Sequence, residues 1–129
     1  VAHVVAGHGT FAAGIVSAVQ QITGRGDRFV AVSNEGQGGA ELEERLAQLV
    51  EDAGATIVFT DLPAGSCSLA ARRLQRRRPA MLLVTGVNLP LLLDVAMADG
   101  GDPVEVVRAA LERGHQAMHA TPPLAATGG

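Results

Sequence analysis

Short apolar runs alternate with amphipathic stretches along this chain, and that alternation leaves few folds open. Residues 2–6, 29–32, 56–60 and 81–85 are apolar or β-branched runs of strand length. Between them, apolar residues recur at every third or fourth position. Phe11, Ile15, Ala18, Val19 and Ile22 form one stripe, and Leu42, Leu46, Leu49, Val50 and Ala53 form another, the period of a helix with one buried face. Strand and helix in alternation make a parallel sheet covered on both faces, so an α/β fold is expected. The β-branched continuity of residues 56–60 marks a central strand, buried on both sides.

Local signals set the boundaries. Gly24 and Gly54 stand where helices over 10–23 and through 53 would stop. A third helix is expected over 66–77. Asn88 is placed to cap a short helix through Met97, with Pro90 in its first turn. Asp102-Pro103-Val104-Glu105 combines a cap, a first-turn proline and a capping-box acid, and Gly114 is expected to end that helix. Residues 115–129 are read as a possible edge or exchanged strand running into a frayed Pro/Ala/Gly tail. The organisation is thus one domain over 1–120 and a flexible tail over 121–129, with no internal repeat.

Composition narrows the function classes. A chain of 129 residues suits a single domain. A net charge of −3 offers no electrostatic footprint for nucleic acid, and an aromatic content of 2% removes the platforms that stack on bases or sugars. Cys67 is the single cysteine, so no internal disulfide forms and a reducing compartment is expected. No apolar stretch approaches the roughly 20 residues of a membrane span, and no basic-then-apolar signal opens the sequence. The expectation is a cytoplasmic protein whose numbering begins just inside its natural terminus.

Two loops carry the chemistry. Gly7-His8-Gly9-Thr10 follows the first strand, and Asp61-Leu62-Pro63-Ala64-Gly65-Ser66 follows the third. In a parallel sheet both would emerge at the carboxyl edge, where open α/β sheets bind ligands. Glycines on either side of His8 let the chain turn and expose the ring. Asp61 is expected to accept a hydrogen bond from one ring nitrogen, leaving the other as a nucleophile. Gly9 and Thr10 at one helix start, and Gly65 and Ser66 at another, would supply amide protons and positive dipole ends for a phosphoryl group. No metal and no cofactor is required by this reading.

Val4-Val5-Ala6-Gly7-His8-Gly9, Phe59-Thr60-Asp61-Leu62-Pro63-Ala64-Gly65-Ser66 and Thr85-Gly86-Val87-Asn88-Leu89-Pro90 resemble the signature segments of the mannose-type enzyme IIA family of the bacterial sugar phosphotransferase system. The resemblance covers nearly the whole chain. It implies a four-stranded parallel α/β sandwich, doubly wound in the flavodoxin-like manner, usually dimeric, with an extra strand near the C-terminus often exchanged between subunits. It also implies that His8 accepts a phosphoryl group from the phosphocarrier HPr and passes it to a IIB component. The membrane IIC/IID components would then be indirect partners in coupled sugar uptake and phosphorylation. By the same resemblance Asp61 is the histidine's carboxylate partner, and Gly65 and Ser66 form the phosphate-cradling turn. Where the mannose branch typically reads Trp-Gly-Gly-Ser-Pro, this chain has Pro63-Ala64-Gly65-Ser66-Cys67. The Glu112-Arg113-Gly114-His115 run is more like the N-acetylgalactosamine branch. Nothing in the residues names the sugar.

Other readings compete at several positions. The phosphocarrier subunit of dihydroxyacetone kinase systems shares the fold and the histidine, but its first loop usually reads Ser-His-Ser and it lacks the Gly86-Val87-Asn88-Leu89-Pro90 segment. Gly7-His8-Gly9-Thr10-Phe11-Ala12 fits a loose dinucleotide fingerprint, with Glu35 placed as the ribose acid, yet a bulky His would crowd a pyrophosphate. His8 alone could fill a tight turn, and Asp61 alone could cap a helix. His115 and His119 stand four apart without a third ligand, and His3 reads as a packed or edge histidine. Cys67 reads as a semi-buried thiol. The arginines at 72, 73, 76, 77 and 78 form either a solvated face or a docking site for an acidic surface.

Overall fold

The backbone in the computed structural model, which describes residues 2–125, follows the alternation read from the sequence. Its elements are β1 (His3–Gly7), α1 (Phe11–Thr23), a single 3-10 turn (Gly26–Arg28), β2 (Phe29–Ser33), α2 (Gly39–Ala53), β3 (Ile57–Thr60), α3 (Ser66–Arg77), β4 (Leu82–Val84), α4 (Leu89–Met97) and α5 (Pro103–Ala117). All strand pairs are parallel and the spatial order is β2-β1-β3-β4. The strand order reverses between β1 and β3, so the connections from those two strands leave on opposite faces and open a crevice at their carboxyl ends.

Side-chain alternation along the strands divides the core in two. Val5, Ile57 and Phe59 point to the face covered by α1, α4 and α5, where Val19, Leu92 and Val95 are buried. Val4, Ala6 and Val58 point to the face covered by α2 and α3, with Leu42, Leu46 and Leu74. Phe59 is fully buried and meets Phe29 edge to face, the ring centroids 6.0 Å apart, a geometry that suits the aromatic quadrupole. All four residues of β3 are buried, as its β-branched run required.

Asn88 Oδ1 accepts from Leu91 N at 3.1 Å and caps α4, and Asp102 Oδ1 accepts from Val104 N at 3.1 Å and caps α5. The expected end of α5 at Gly114 is wrong. The helix runs on to Ala117, and Gly114 is a buried contact point inside it. A Cβ at Gly114 would lie 3.0 Å from Asn88 Oδ1 and 3.1 Å from Leu91 Cβ. The residue is small because α4 and α5 cross there, not because the helix stops. That extension uses up residues expected to be free for a further strand, and among the described residues none of 118–125 is in a strand. The final part of the expected tail, 126–129, and Val1 lie outside the described residues. No helix among the described residues is long and apolar enough to cross a membrane.

Candidate functional site

β1 and β3 are neighbours, with Ala6 in register with Thr60. His8 and Asp61 therefore follow adjacent strand ends at the switch point. The loops are tied to the sheet: Asn34 N donates to Gly7 O at 3.2 Å, and Val87 N donates to Thr60 O at 3.1 Å. Gly9, at φ 55, makes the turn that brings the chain from His8 into α1.

Asp61 Oδ2 takes two hydrogen bonds from one residue. The backbone N–H of His8 donates at 2.9 Å and its ring Nδ1 lies at 2.8 Å. An ionised carboxylate only accepts, so Nδ1 carries a proton, and in the neutral ring Nε2 keeps its lone pair. One bond fixes the main chain of His8 and the other fixes the ring. The imidazole side chain is 44% exposed while the carboxylate is only 11% exposed. Burial works against ionisation of Asp61, but the backbone and ring hydrogen bonds from His8 outweigh it and hold the carboxyl below its ordinary value. Asp61 is thus charged at neutral pH. Its other oxygen, Oδ1, is buried without a hydrogen-bond partner among the described residues.

Gly65 borders the free edge of the ring. A Cβ there would stand 3.3 Å from His8 Cε1 and 3.7 Å from Nε2. Its φ of 116° with ψ of 175° is a backbone state that glycine adopts without penalty. α3 starts at the next residue, and Leu69 N is the first to bond back, to Gly65 O at 2.9 Å. The N–H groups of Ser66, Cys67 and Ser68 precede that first bond and have no intrahelical acceptor. Ser66 Oγ accepts from Asn34 Nδ2 at 3.1 Å, which leaves its hydroxyl proton available to another acceptor. Thr10 sits at the start of α1 with an exposed side chain that makes no capping hydrogen bond.

Beneath the β3–α3 loop is a buried hydroxyl pair. Thr60 Oγ1 and Ser68 Oγ are 2.7 Å apart and both reach Leu62 O, so one hydroxyl donates to the other and the second donates to that carbonyl. From the outside, Arg72 Nη2 donates to Pro63 O at 2.8 Å. These bonds set the loop that carries Asp61 and Gly65. Sequence reasoning gave no role to Asn34 or Ser68, and read Arg72 only within an arginine cluster that forms a solvated face or a docking site. Asn34 was findable as the first residue past a strand end on the same edge, whereas the Thr60–Ser68 pairing depends on how α3 lies against β3.

Of the remaining titratable residues, Cys67 lies against the site. Burial, and next the charge of Asp61, raise the Cys67 thiol above its ordinary value, with a smaller opposing effect from a Ser66 hydrogen bond. Cys67 is fully buried, so it is a protonated packing residue. His8, Asp61 and Cys67 can each bring a ligand atom within 4.8 Å of the others, and Nδ1 of His8 and Oδ2 of Asp61 are already bonded to each other. His3, on β1 at the other end of the sheet, packs edge-on against Phe59 at 6.3 Å. Its Nδ1 is buried without a partner among the described residues. His115 lies in α5 and His119 beyond its end, so they do not share a helical face.

A family model described as the PTS (sugar phosphotransferase) system fructose IIA component matches residues 2–111. No curated protein sequence matches the chain. Among solved structures, the phosphotransferase system component EIIA of Streptococcus agalactiae superposes with a TM-score of 0.82 at 20% identity, covering 92% of this chain and 95% of that one. The mannose/sorbose-specific IIA subunit of Enterococcus faecalis gives 0.80 at 21% identity and 98% of each chain. The PTS IIA protein associated with the fucose utilization operon of Streptococcus pneumoniae gives 0.79 at 24%, covering 92% and 91%. At these identities the superpositions speak for the fold.

Proposed function

This chain belongs to the mannose-type IIA family of the sugar phosphotransferase system, and from that premise we propose that it is a phosphohistidine carrier working through Nε2 of His8. The observation that carries the reading is the pair of bonds from His8 to one oxygen of Asp61, 2.9 Å from the backbone and 2.8 Å from Nδ1. They leave a single nitrogen, Nε2, to react, on a ring that is 44% exposed. The family places the chain in phosphoryl transfer for sugar uptake. The donor HPr, the acceptor IIB component, a cytoplasmic location and a homodimer are parts of this proposal.

The chemistry needs no proton transfer. The Nε2 lone pair attacks the phosphorus of the donor's phosphohistidine, the donor's N–P bond breaks, and its electron pair returns to the donor ring. His8 keeps the proton on Nδ1 throughout, so the ring gains positive character as the new N–P bond forms. Asp61, already ionised and bonded to that N–H, stabilises it with no reorganisation at the moment of transfer. The N–H groups at the start of α3, the Ser66 hydroxyl, and the backbone and hydroxyl of Gly9 and Thr10 are the groups proposed to bind the phosphoryl oxygens. The reverse sequence delivers the group to the acceptor. Catalysis consists of positioning and charge stabilisation.

The test is incubation with labelled phosphoenolpyruvate, enzyme I and HPr. Acid-labile, alkali-stable label on the wild type, absent from His8→Ala, is the expected result. Label delivered only by a donor from a dihydroxyacetone kinase system would favour that second type of carrier, and no label from either would end the reading.

A further inference from the structure

The arginine-rich end of α3 divides between two environments. Arg77 pairs with Glu43 at 3.1 Å and Glu44 at 3.2 Å, and Arg78 pairs with Glu51, all three acids on α2. These cations are neutralised within the fold. Arg72, Arg73 and Arg76 make no ion pair among the described residues. With Leu69 they occupy positions i, i+3, i+4 and i+7, a single stripe of the helix, opposite the buried Cys67, Ala70, Ala71 and Leu74, with the Arg73 guanidinium lying beside Gly39 at the start of α2. All four are exposed. A chain of net charge −3 thus carries three unneutralised guanidinium groups on one face.

That face is continuous with the reacting nitrogen. α3 begins at Gly65, which borders the His8 ring, and Arg72 reaches back to the loop through Pro63 O at 2.8 Å. Leu62 in that loop is 51% exposed and Leu69 on the stripe 52%. From Gly65 to Arg76 is roughly 16 Å of helix. A standard protein interface buries about 800 Å² on each partner, equivalent to a disc of about 16 Å radius. An interface of that size centred on Nε2 therefore takes in Leu69 and Arg72 and has Arg76 at its rim.

Resting on the carrier reading above, we infer that the Leu69–Arg72–Arg73–Arg76 face of α3, with Leu62 beside it, is the docking surface for a phosphoryl-transfer partner that is acidic around its own reactive group. Covering three guanidinium groups without counter-charges would cost their solvation, so the matching surface supplies carboxylates. Leu62 and Leu69 provide apolar contact among them, and arginine is enriched over lysine, glutamate and aspartate at interfaces. The face serves a protein more than a lipid surface because it ends at the nucleophile, which a membrane lying on it would cover.

The test is the double variant R73E/R76E, which leaves the Arg72–Pro63 bond in place. Second-order rates of transfer from phosphorylated HPr, and onward to the IIB partner, are measured at low and high ionic strength. We expect at least one of the two to slow by about tenfold or more at low salt and to approach the wild-type rate at high salt, as screening removes steering. Phosphorylation by a small donor such as phosphoramidate stays at the wild-type rate, and so does R77E, whose charge is already spent on α2. Double-variant rates equal to wild type with both partners would overturn the assignment while leaving the carrier reading intact. So would loss of binding to phosphatidylglycerol vesicles with protein transfer unchanged. A wild type that takes no label from HPr would sink both.

Discussion

Replacing Asp61 by Asn isolates the contribution of its charge. The amide oxygen can still accept from the His8 backbone, but the bond from Nδ1 is no longer assisted by a full negative charge. A hydrogen bond to a charged group contributes about 1.5–3 kcal/mol. Two unit charges about 4 Å apart at an effective dielectric near 20 would give about 4 kcal/mol. The lower range applies here, because the His8 ring is 44% exposed and solvent screens it. The interaction is weaker in the ground state, where the ring is neutral, than in the transition state, where it gains positive character. Most of the loss therefore falls on the rate. At 1.36 kcal/mol per decade this is a slowing of about tenfold to about a hundredfold. Rapid-quench single-turnover transfer from labelled phospho-HPr measures it, with urea unfolding to separate any loss of fold. The amide also places an N–H₂ group where Asp61 offers only acceptors, and a buried unpaired donor costs about 1–3 kcal/mol of stability. A D61N protein that is folded and transfers within about twofold of wild type would refute the electrostatic role, since even the low end of the hydrogen-bond range exceeds that.

Gly65→Ala should nearly abolish phosphorylation while leaving the chain folded, because its Cβ would stand 3.3 Å from His8 Cε1 on a backbone at φ 116°; label uptake near the wild-type rate would contradict the placement of the ring. Two helical glycines should respond oppositely to alanine. Gly14→Ala in α1 meets nothing within 4 Å and should raise Tm by about 4 °C, from a propensity gain of about 1 kcal/mol. Gly114→Ala faces Asn88 Oδ1 at 3.0 Å, and an overpacking cost of about 1–3 kcal/mol should cancel or exceed that gain; equal stabilisation by both would disprove the close helix crossing. Burial, with a smaller effect of the Arg28 charge, holds His3 below 6.5, so the folded state favours the neutral ring. Its contribution is complete above 6.5 and is lost as pH falls through the lowered folded-state value. Urea midpoints for His3→Leu should therefore fall less than wild type between neutral pH and pH 5. The Asp61 contribution follows the same sign in a separate window, present above 3.8 and lost as pH falls through its lowered value.

Much of this molecule is legible in one dimension. Residues 66–77 were expected as a helix and form α3 with those bounds, because a stripe of small apolar residues opposite arginines has one helical solution. Asn88 and Asp102 cap the helices they were expected to cap, since a side-chain cap is a contact across two or three residues. Gly24 and Gly54 end helices in the left-handed conformation for the same local reason. Gly114 looked the same and was not, because the contact that demands a glycine there comes from α4, 23 to 26 residues earlier in the chain.

The site divides along the same line. Sequence alone determined that His8 and Asp61 end parallel strands, and therefore that both stand at one edge of the sheet, because strand direction follows from the helical crossovers. Only the tertiary structure decided that these strands are neighbours and that one oxygen of Asp61 takes both His8 bonds. It alone showed that Gly65 borders the ring, and which arginines of α3 are neutralised by α2 and which make no ion pair among the described residues. Local pattern is set by residues a few positions apart, within reach of a single turn. Pairing between loops 53 residues apart, or between a guanidinium and a carboxylate on another helix, depends on how the layers pack and on distances of a few ångströms that the order of residues does not encode.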